Sequence, residues 1–119
     1  MCTDTQIAKA EKHHSIRLPN EYKLFVKTFG GGYFAFTNIF TVNNGEWNII
    51  QLNNQINLIN SHKFIAVSDN EVGDFYGFEI ENGICNPKVK YYNHEINKVV
   101  ETQFEDLYQY VLKVGLQQD

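Results

Sequence analysis

The chain has 119 residues, of which 43% are hydrophobic and 20% are charged, and its formal net charge is −4 at pH 7. This length and composition indicate a single globular domain over residues 1–119, which can bury a core without metals or disulfides. The negative charge disfavours nucleic acid as a partner, because phosphate backbones repel an acidic chain. No apolar run reaches the roughly 20 residues of a membrane-spanning helix, so no membrane partner is expected.

The cysteines and the first residues bear on cellular location. Cys2 and Cys85 lie far apart in the sequence and indicate free thiols in a reducing compartment, neither a disulfide framework nor a zinc site. The first residues lack the basic and then apolar pattern of a signal peptide. We therefore expect a cytoplasmic protein.

Two helices are predicted at the N-terminus. Thr3 and Gln6 have the spacing of a capping box, so the first helix starts near Thr3. It ends before Pro19, because the residue that precedes a proline avoids helical angles. The second helix follows Pro19 and ends at the glycines of positions 30–32. Its apolar face has the period of an amphipathic helix and consists of Tyr22, Phe25, Val26 and Phe29.

The middle of the chain has the composition of β-strands. Aromatic and β-branched residues are concentrated in segments 33–36, 39–42, 64–67, 75–80 and 88–92. Turns are predicted at Asn38, at residues 43–45 and at Asn82-Gly83. Segment 47–59 is ambiguous, and a strand followed by a short helix is one interpretation of it.

A third helix is predicted at the C-terminus. Thr102 and Glu105 again have capping-box spacing, and apolar residues recur with a helical period up to Gly115. The order of the elements predicts an α+β fold. Its central, mostly antiparallel sheet of about five to six strands is flanked by the N-terminal helices and a C-terminal helix.

Three segments resemble the SUKH superfamily (Smi/Knr-type domains) in order and spacing. Residues 16–32 are similar to the family's opening Leu-Pro-x-x-Tyr-x-x-Phe and Gly-Gly pattern. Residues 64–78 resemble its apolar strand, acidic Gly-Asp turn and aromatic strand. Residues 88–107 are similar to its x-Val-x-x-Tyr strand and final helix. The extra glycine at Gly32 and the Asn-rich middle depart from the family pattern.

The resemblance implies a function as well as a fold. Bacterial members of the family look like immunity proteins, which bind and neutralise a toxin domain of a polymorphic-toxin system, whereas fungal and viral members are regulatory or interaction modules. The expectation is a non-catalytic immunity protein with a cognate toxin domain as its partner, for example a basic nuclease. The alternative is a regulatory scaffold of the same fold. A homodimer is left open.

An acidic run without bases is the candidate partner-binding surface. Between residues 64 and 87 there is no Lys or Arg, and five acids occur: Asp69, Glu71, Asp74, Glu79 and Glu81. These like charges repel one another unless they are solvated or meet the cations of a partner. A solvated turn is the plainer interpretation. The run lacks the ligand register of a calcium-binding EF-hand, so no metal is expected.

Aromatic residues divide between core positions and candidate anchors. We interpret Tyr33, Trp47 and Tyr76 as candidate anchors for a partner, although a half-buried core tryptophan explains Trp47 equally well. Apolar periods place the following residues in the core: Tyr22, Phe25, Phe29, Phe64, Phe78, Phe104, Leu107 and Tyr108.

No pattern in the sequence indicates catalysis or a cofactor. None of the four histidines has metal-ligand spacing, and a Gly-x-Ser-x-Gly nucleophile turn does not occur. The glycines at 30–32 precede no Gly-Lys-Ser/Thr, so they are not a phosphate loop. The sequence therefore predicts a binding protein without an enzymatic activity.

Overall fold

The computed structural model describes residues 2–30, 32–34, 37–42, 48–69 and 73–115. The N-terminal half contains α1 (Asp4–His14), α2 (Asn20–Phe29), β1 (Gly32–Phe34), β2 (Thr37–Ile39), α3 (Ile49–Ile56) and α4 (Leu58–His62). The C-terminal half contains β3 (Phe64–Asp69), β4 (Phe75–Glu81), β5 (Ile84–Cys85), β6 (Lys90–Asn93), β7 (Lys98–Val100) and α5 (Leu107–Tyr110). A π-helical turn, Val111–Gly115, follows α5. None of the described helices has the length and apolarity that crossing a membrane requires.

The strands form one antiparallel sheet, which confirms the predicted α+β class. Six of the described strands follow the order β1-β2-β3-β4-β6-β7, and the short β5 pairs with the end of β4. The central pair runs from Phe64 opposite Glu79 to Asp69 opposite Phe75, with a bulge between Ala66 and Ser68. The β7 strand has no counterpart among the predicted elements.

Helices α2 and α5 cover the same face of the sheet. The ring of Tyr22 in α2 packs edge-on against Phe78 of β4, with ring centroids 6.4 Å apart. The hydroxyl groups of Tyr110 in α5 and Ser68 in β3 form a hydrogen bond of 2.7 Å. Because Ser68 and Phe78 belong to neighbouring central strands, these contacts place both helices over the middle of the sheet.

One side chain of α3, that of Asn53, forms hydrogen bonds with the backbone of strand β3. Asn53 donates to the carbonyl of Ala66 at 2.9 Å and accepts from the amide of Ala66 at 2.8 Å. It also donates to the carbonyl of Ile49 at 2.9 Å. Strand β2 pairs with β3 only at Ser68 and Asp69, so the buried carboxamide of Asn53 takes the place of a neighbouring strand at Ala66.

The predicted N-terminal helices are confirmed, with one exception in the core. Thr3 and Gln6 form the capping box of α1, and α2 ends at Gly30 with φ 82°. The side chains of Tyr22, Phe25 and Val26 are buried. Phe29, predicted to share that face, lies in the last turn of α2 and is 56% exposed, although its ring centroid is 5.1 Å from that of Phe25.

The Asn-rich middle is helical where it is described. Asn48 caps α3 by accepting from the amides of Ile50 and Gln51 at 2.8 and 3.3 Å. The interpretation of segment 47–59 as a strand followed by a short helix is therefore wrong in its strand, because both described elements of the segment, α3 and α4, are helices. Asn38 was also predicted wrongly, because it lies within β2 rather than in a turn. The turn predicted at residues 43–45 lies outside the described residues.

The C-terminal helix begins later than predicted. It starts at Leu107, capped by the side chain of Asp106, which accepts from a backbone amide of the first turn at 3.0 Å. Thr102 instead donates its hydroxyl to the carbonyl of Val89 and accepts from the amide of Phe104 at 3.1 Å. Phe104 is thereby buried outside the helix. Tyr108, predicted to be core, is exposed.

Candidate partner-binding site

Strand β4 carries most of the described residues of the predicted site. Asp74 precedes this strand, Tyr76 and Glu79 lie within it, and Glu81 ends it. At about 3.3 Å per residue, Asp74 and Glu81 are separated by about 23 Å along the strand. Side chains alternate between the faces of a strand, so Asp74 and Tyr76 lie on the face opposite Glu79 and Glu81. The acids are therefore spread along β4 and over both of its faces, rather than gathered in one cluster.

Asp74 is buried and attaches the β6–β7 hairpin to the start of β4. Its carboxylate accepts hydrogen bonds from the hydroxyl of Tyr91 and from the amide of His94, the latter at 2.8 Å. The Nδ1 atom of His94 lies 2.5 Å from the same carboxylate. Gly73 packs against this imidazole, where an added Cβ would lie 3.3 Å from the ring. Only 7% of the surface of Asp74 is exposed, which leaves little of this side chain for direct contact with another protein.

Glu79 has a cationic neighbour that sequence reasoning missed. Lys90 of β6 lies 3.4 Å from the Glu79 carboxylate and also contacts Glu101. Lys88 lies 3.2 Å from Glu101. The hydrogen bond to Glu101 is the main cause that raises the pKa of Lys90, whereas burial opposes it. The interpretation of an acidic run without a nearby base is therefore wrong at Glu79, because the pairing of β4 with β6 brings Lys90 beside it.

Asp69 ends β3 beside a buried amide. It pairs with Asn38 of β2 on one side and with Phe75 of β4 on the other. Asn38 is 1% exposed, and neither polar atom of its carboxamide has a hydrogen-bond partner in the described part of the chain. Asp69 itself is half-buried, so it is more accessible than Asp74.

The predicted aromatic anchors differ in their placement. Tyr76 is half-buried, with its ring centroid 4.6 Å from that of Tyr110 and 4.8 Å from that of Tyr91. Burial and then the charge of Asp74 raise the pKa of Tyr76. Tyr33 lies in β1, and its side chain is not described. Trp47 and Glu71 lie outside the described residues, so their roles stay predictions.

Glu81 is an exposed acid of the predicted site, whereas both cysteines are buried. Glu81 is exposed at the β4–β5 hairpin, and no described cation forms an ion pair with it. Both cysteines are buried and free. Burial and the charge of Glu11 raise the pKa of the Cys85 thiol to about 12, which suppresses the reactive thiolate. No group of three or more His, Cys, Asp or Glu side chains within the described ranges is arranged to hold a metal ion.

A comparison with protein families identifies the family of this chain. A SUKH family model, described as SMI1-KNR4 cell-wall, matches residues 4–111. The matched range starts at the first residue of α1 and ends just after α5, so it includes every strand of the sheet. No curated protein sequence matches the chain. Since the family match extends over most of the chain and the fold is the α+β arrangement expected for it, the protein belongs to the SUKH (SMI1-KNR4) family.

Proposed function

We propose that this protein is a non-catalytic immunity protein, which binds a cognate toxin domain and neutralises it. Membership of the SUKH family is the observation that carries the proposal, because SUKH domains are generally non-catalytic proteins of immunity or cell-wall function. Neutralisation would require only that the bound protein blocks the toxin's active site.

The acidic side chains of β3 and β4 support a basic toxin, such as a nuclease, as the partner. Glu81 exposes its carboxylate at one end of the central strands. At the other end Asp69 is half-buried and Asp74 adds buried negative charge. Glu79 contributes less, because Lys90 neutralises part of its charge. Complementary charge mainly accelerates association and excludes wrong partners. The chain's net charge of −4 acts in the same direction.

Co-expression with any toxin-like domain that the neighbouring genes encode tests the proposal. We expect the protein to restore growth of cells that produce the toxin domain and to co-purify with it as a stable complex. A variant in which Phe78→Asp disrupts the buried core is a control that should fail to protect. Cell death in the presence of abundant folded protein would contradict this pairing.

The second candidate function is a regulatory scaffold, and the cell-wall description of the matching family favours it. In that function the protein binds an endogenous protein of its own cell, and no toxin gene lies nearby. Isolation of complexes from cells that lack the toxin domain distinguishes the two functions. A stoichiometric endogenous partner supports the scaffold, whereas a complex that forms only with the toxin domain supports immunity.

A further inference from the structure

A groove lies between the end of α1, helix α4 and the β4–β5 hairpin. Two adjoining clefts of about 530 and 470 Å³ form it, and they share four wall residues: Ser15, Ile16, Asn82 and Gly83. Ile59 and Ile80 extend the aliphatic lining of the smaller cleft. Ile84, which is 58% exposed, borders the larger one. The groove therefore combines isoleucine side chains with a polar rim, and the polar surface predominates in the larger cleft.

Cations without an ion-pair partner collect along this rim. Lys12 and Arg17 line the larger cleft and Lys63 the smaller, and no described acid pairs with any of them. Four other lysines do pair with carboxylates: Lys23, Lys27, Lys88 and Lys90. Of the two acids in the lining, Glu11 already accepts from the amide of Leu18 at 2.8 Å. Only Glu81 presents an unpaired negative charge.

Backbone contacts shape the groove before any ligand binds. The amide of Arg17 donates to the carbonyl of Gly83 at 2.7 Å, and the amide of Cys85 donates to the carbonyl of Arg17 at 2.9 Å. Of the five described non-glycine residues with positive φ, three border the groove, at Ser15, Lys63 and Asn82. Ser15 and Lys63 end helices α1 and α4, and Asn82 lies in the β4–β5 turn, so these conformations fix the shape of the groove.

We propose that this groove binds an acidic, extended peptide segment of a partner protein. The carboxylates of the segment pair with Lys12, Arg17 and Lys63, and an aliphatic side chain of the segment packs against Ile59 and Ile80. A polypeptide fits better than a nucleic acid, because isoleucine side chains line the smaller cleft and Glu81 repels a continuous phosphate backbone. The proposal does not depend on toxin binding, which uses acids of the protein rather than these cations.

Titration of the ¹⁵N-labelled protein with the peptide acetyl-Leu-Asp-Leu-Glu-Asp-amide tests the groove directly. A matched peptide with lysine in place of each acid is the control. We expect the acidic peptide alone to shift the amide signals of Ser15, Lys63 and Gly83. Its affinity should fall as the NaCl concentration rises, because salt screens exposed ion pairs.

Single-charge variants give opposite expected results. Arg17→Gln and Lys63→Gln should each weaken the acidic peptide about two- to fivefold, the range typical of one exposed ion pair. Glu81→Gln should strengthen it by a similar factor, because the substitution removes a repulsive charge. Lys113→Gln, which removes a cation outside the groove lining, should leave the affinity unchanged.

Two results would overturn the proposal. The first is a set of equal shifts with the acidic and basic peptides, or no shift at the groove. The second is binding of inorganic triphosphate at the same amides without binding of the acidic peptide, which would assign the cations to a phosphate ligand. Neither result depends on the co-expression experiment. The peptide titration can therefore contradict binding in the groove without contradicting the immunity function, and the reverse also holds.

Discussion

Polar groups are buried near both ends of β4, but only those at its start are satisfied by hydrogen bonds. At the start of this strand, Asp74 accepts hydrogen bonds from Tyr91 and His94 and so holds the β6–β7 hairpin. Near its end, His14 lines the groove beside Glu81, and its Nε2 atom is buried without a hydrogen-bond partner in the described part of the chain. The first group is well satisfied, whereas the second has an uncompensated cost of burial.

The burial of His14 predicts a pH-dependent stability. Burial, and secondarily the charge of His13, lowers the pKa of His14 below its ordinary value of 6.5. The folded protein therefore binds this proton less readily than the unfolded chain, and the free energy of unfolding decreases as the pH falls through 6.5. The decrease ends once the pH lies below the pKa of the folded state.

Urea unfolding of the wild type and His14→Gln at pH 7.5 and 5.5 measures this contribution. We expect the variant to lose less stability than the wild type between the two pH values. Equal losses would show that His14 does not carry the pH dependence.

Helix α3 is attached to the sheet by hydrogen bonds from one of its side chains. Asn53 bonds both backbone groups of Ala66 where β2 has already ended. Without this side chain the amide and carbonyl of Ala66 would be buried without partners. The helix therefore owes its position to a polar contact as well as to apolar packing.

Asn53→Ala should lower the free energy of unfolding by about 3 kcal/mol, because it leaves two buried backbone groups unsatisfied. Asn54→Ala is a matched control, because Asn54 is exposed on the same helix and the gain in helix propensity is the same. Its effect should stay within about 0.5 kcal/mol. Equal urea midpoints of the two variants would contradict the role of Asn53.

Charges of opposite sign are distributed over different parts of the molecule. The central strands end in the acids Asp69, Asp74 and Glu81, whereas Lys12 and Arg17 lie at the groove beside α1. Under the two proposals, a basic partner would bind at the sheet and an acidic segment in the groove. Glu81 is the exception to this separation, because it ends β4 and also lines the groove.

Neutralisation of the acids should slow association with a basic toxin domain. For Asp69→Asn combined with Glu71→Gln, we expect the association rate constant at low salt to fall about tenfold and its salt dependence to weaken. Asp4→Asn combined with Glu21→Gln removes the same charge from α1 and α2 and should change the rate less than twofold. Stopped-flow measurement at several NaCl concentrations checks both variants, and an unchanged rate in the first would count against this surface.

Local chemistry made much of the fold predictable from the sequence. The capping box of Thr3 and Gln6 and the glycine end of α2 depend only on neighbouring residues, so their positions were predicted correctly. The apolar run of residues 64–67 in β3 was equally informative, because a short uncharged apolar run is typical of a buried strand. The same local reasoning was wrong at Thr102, since Thr102 and Asp106 are both good caps and only Asp106 begins the helix.

The pairing of distant segments decided the rest. The sequence by itself determined the family pattern, the α+β class and the row of acids along β4. Only the tertiary structure brought Lys90 beside Glu79, His94 beside Asp74 and Asn53 beside Ala66. The physical reason is that ion pairs and buried hydrogen bonds depend on strand register and helix placement, which no local pattern of residues encodes.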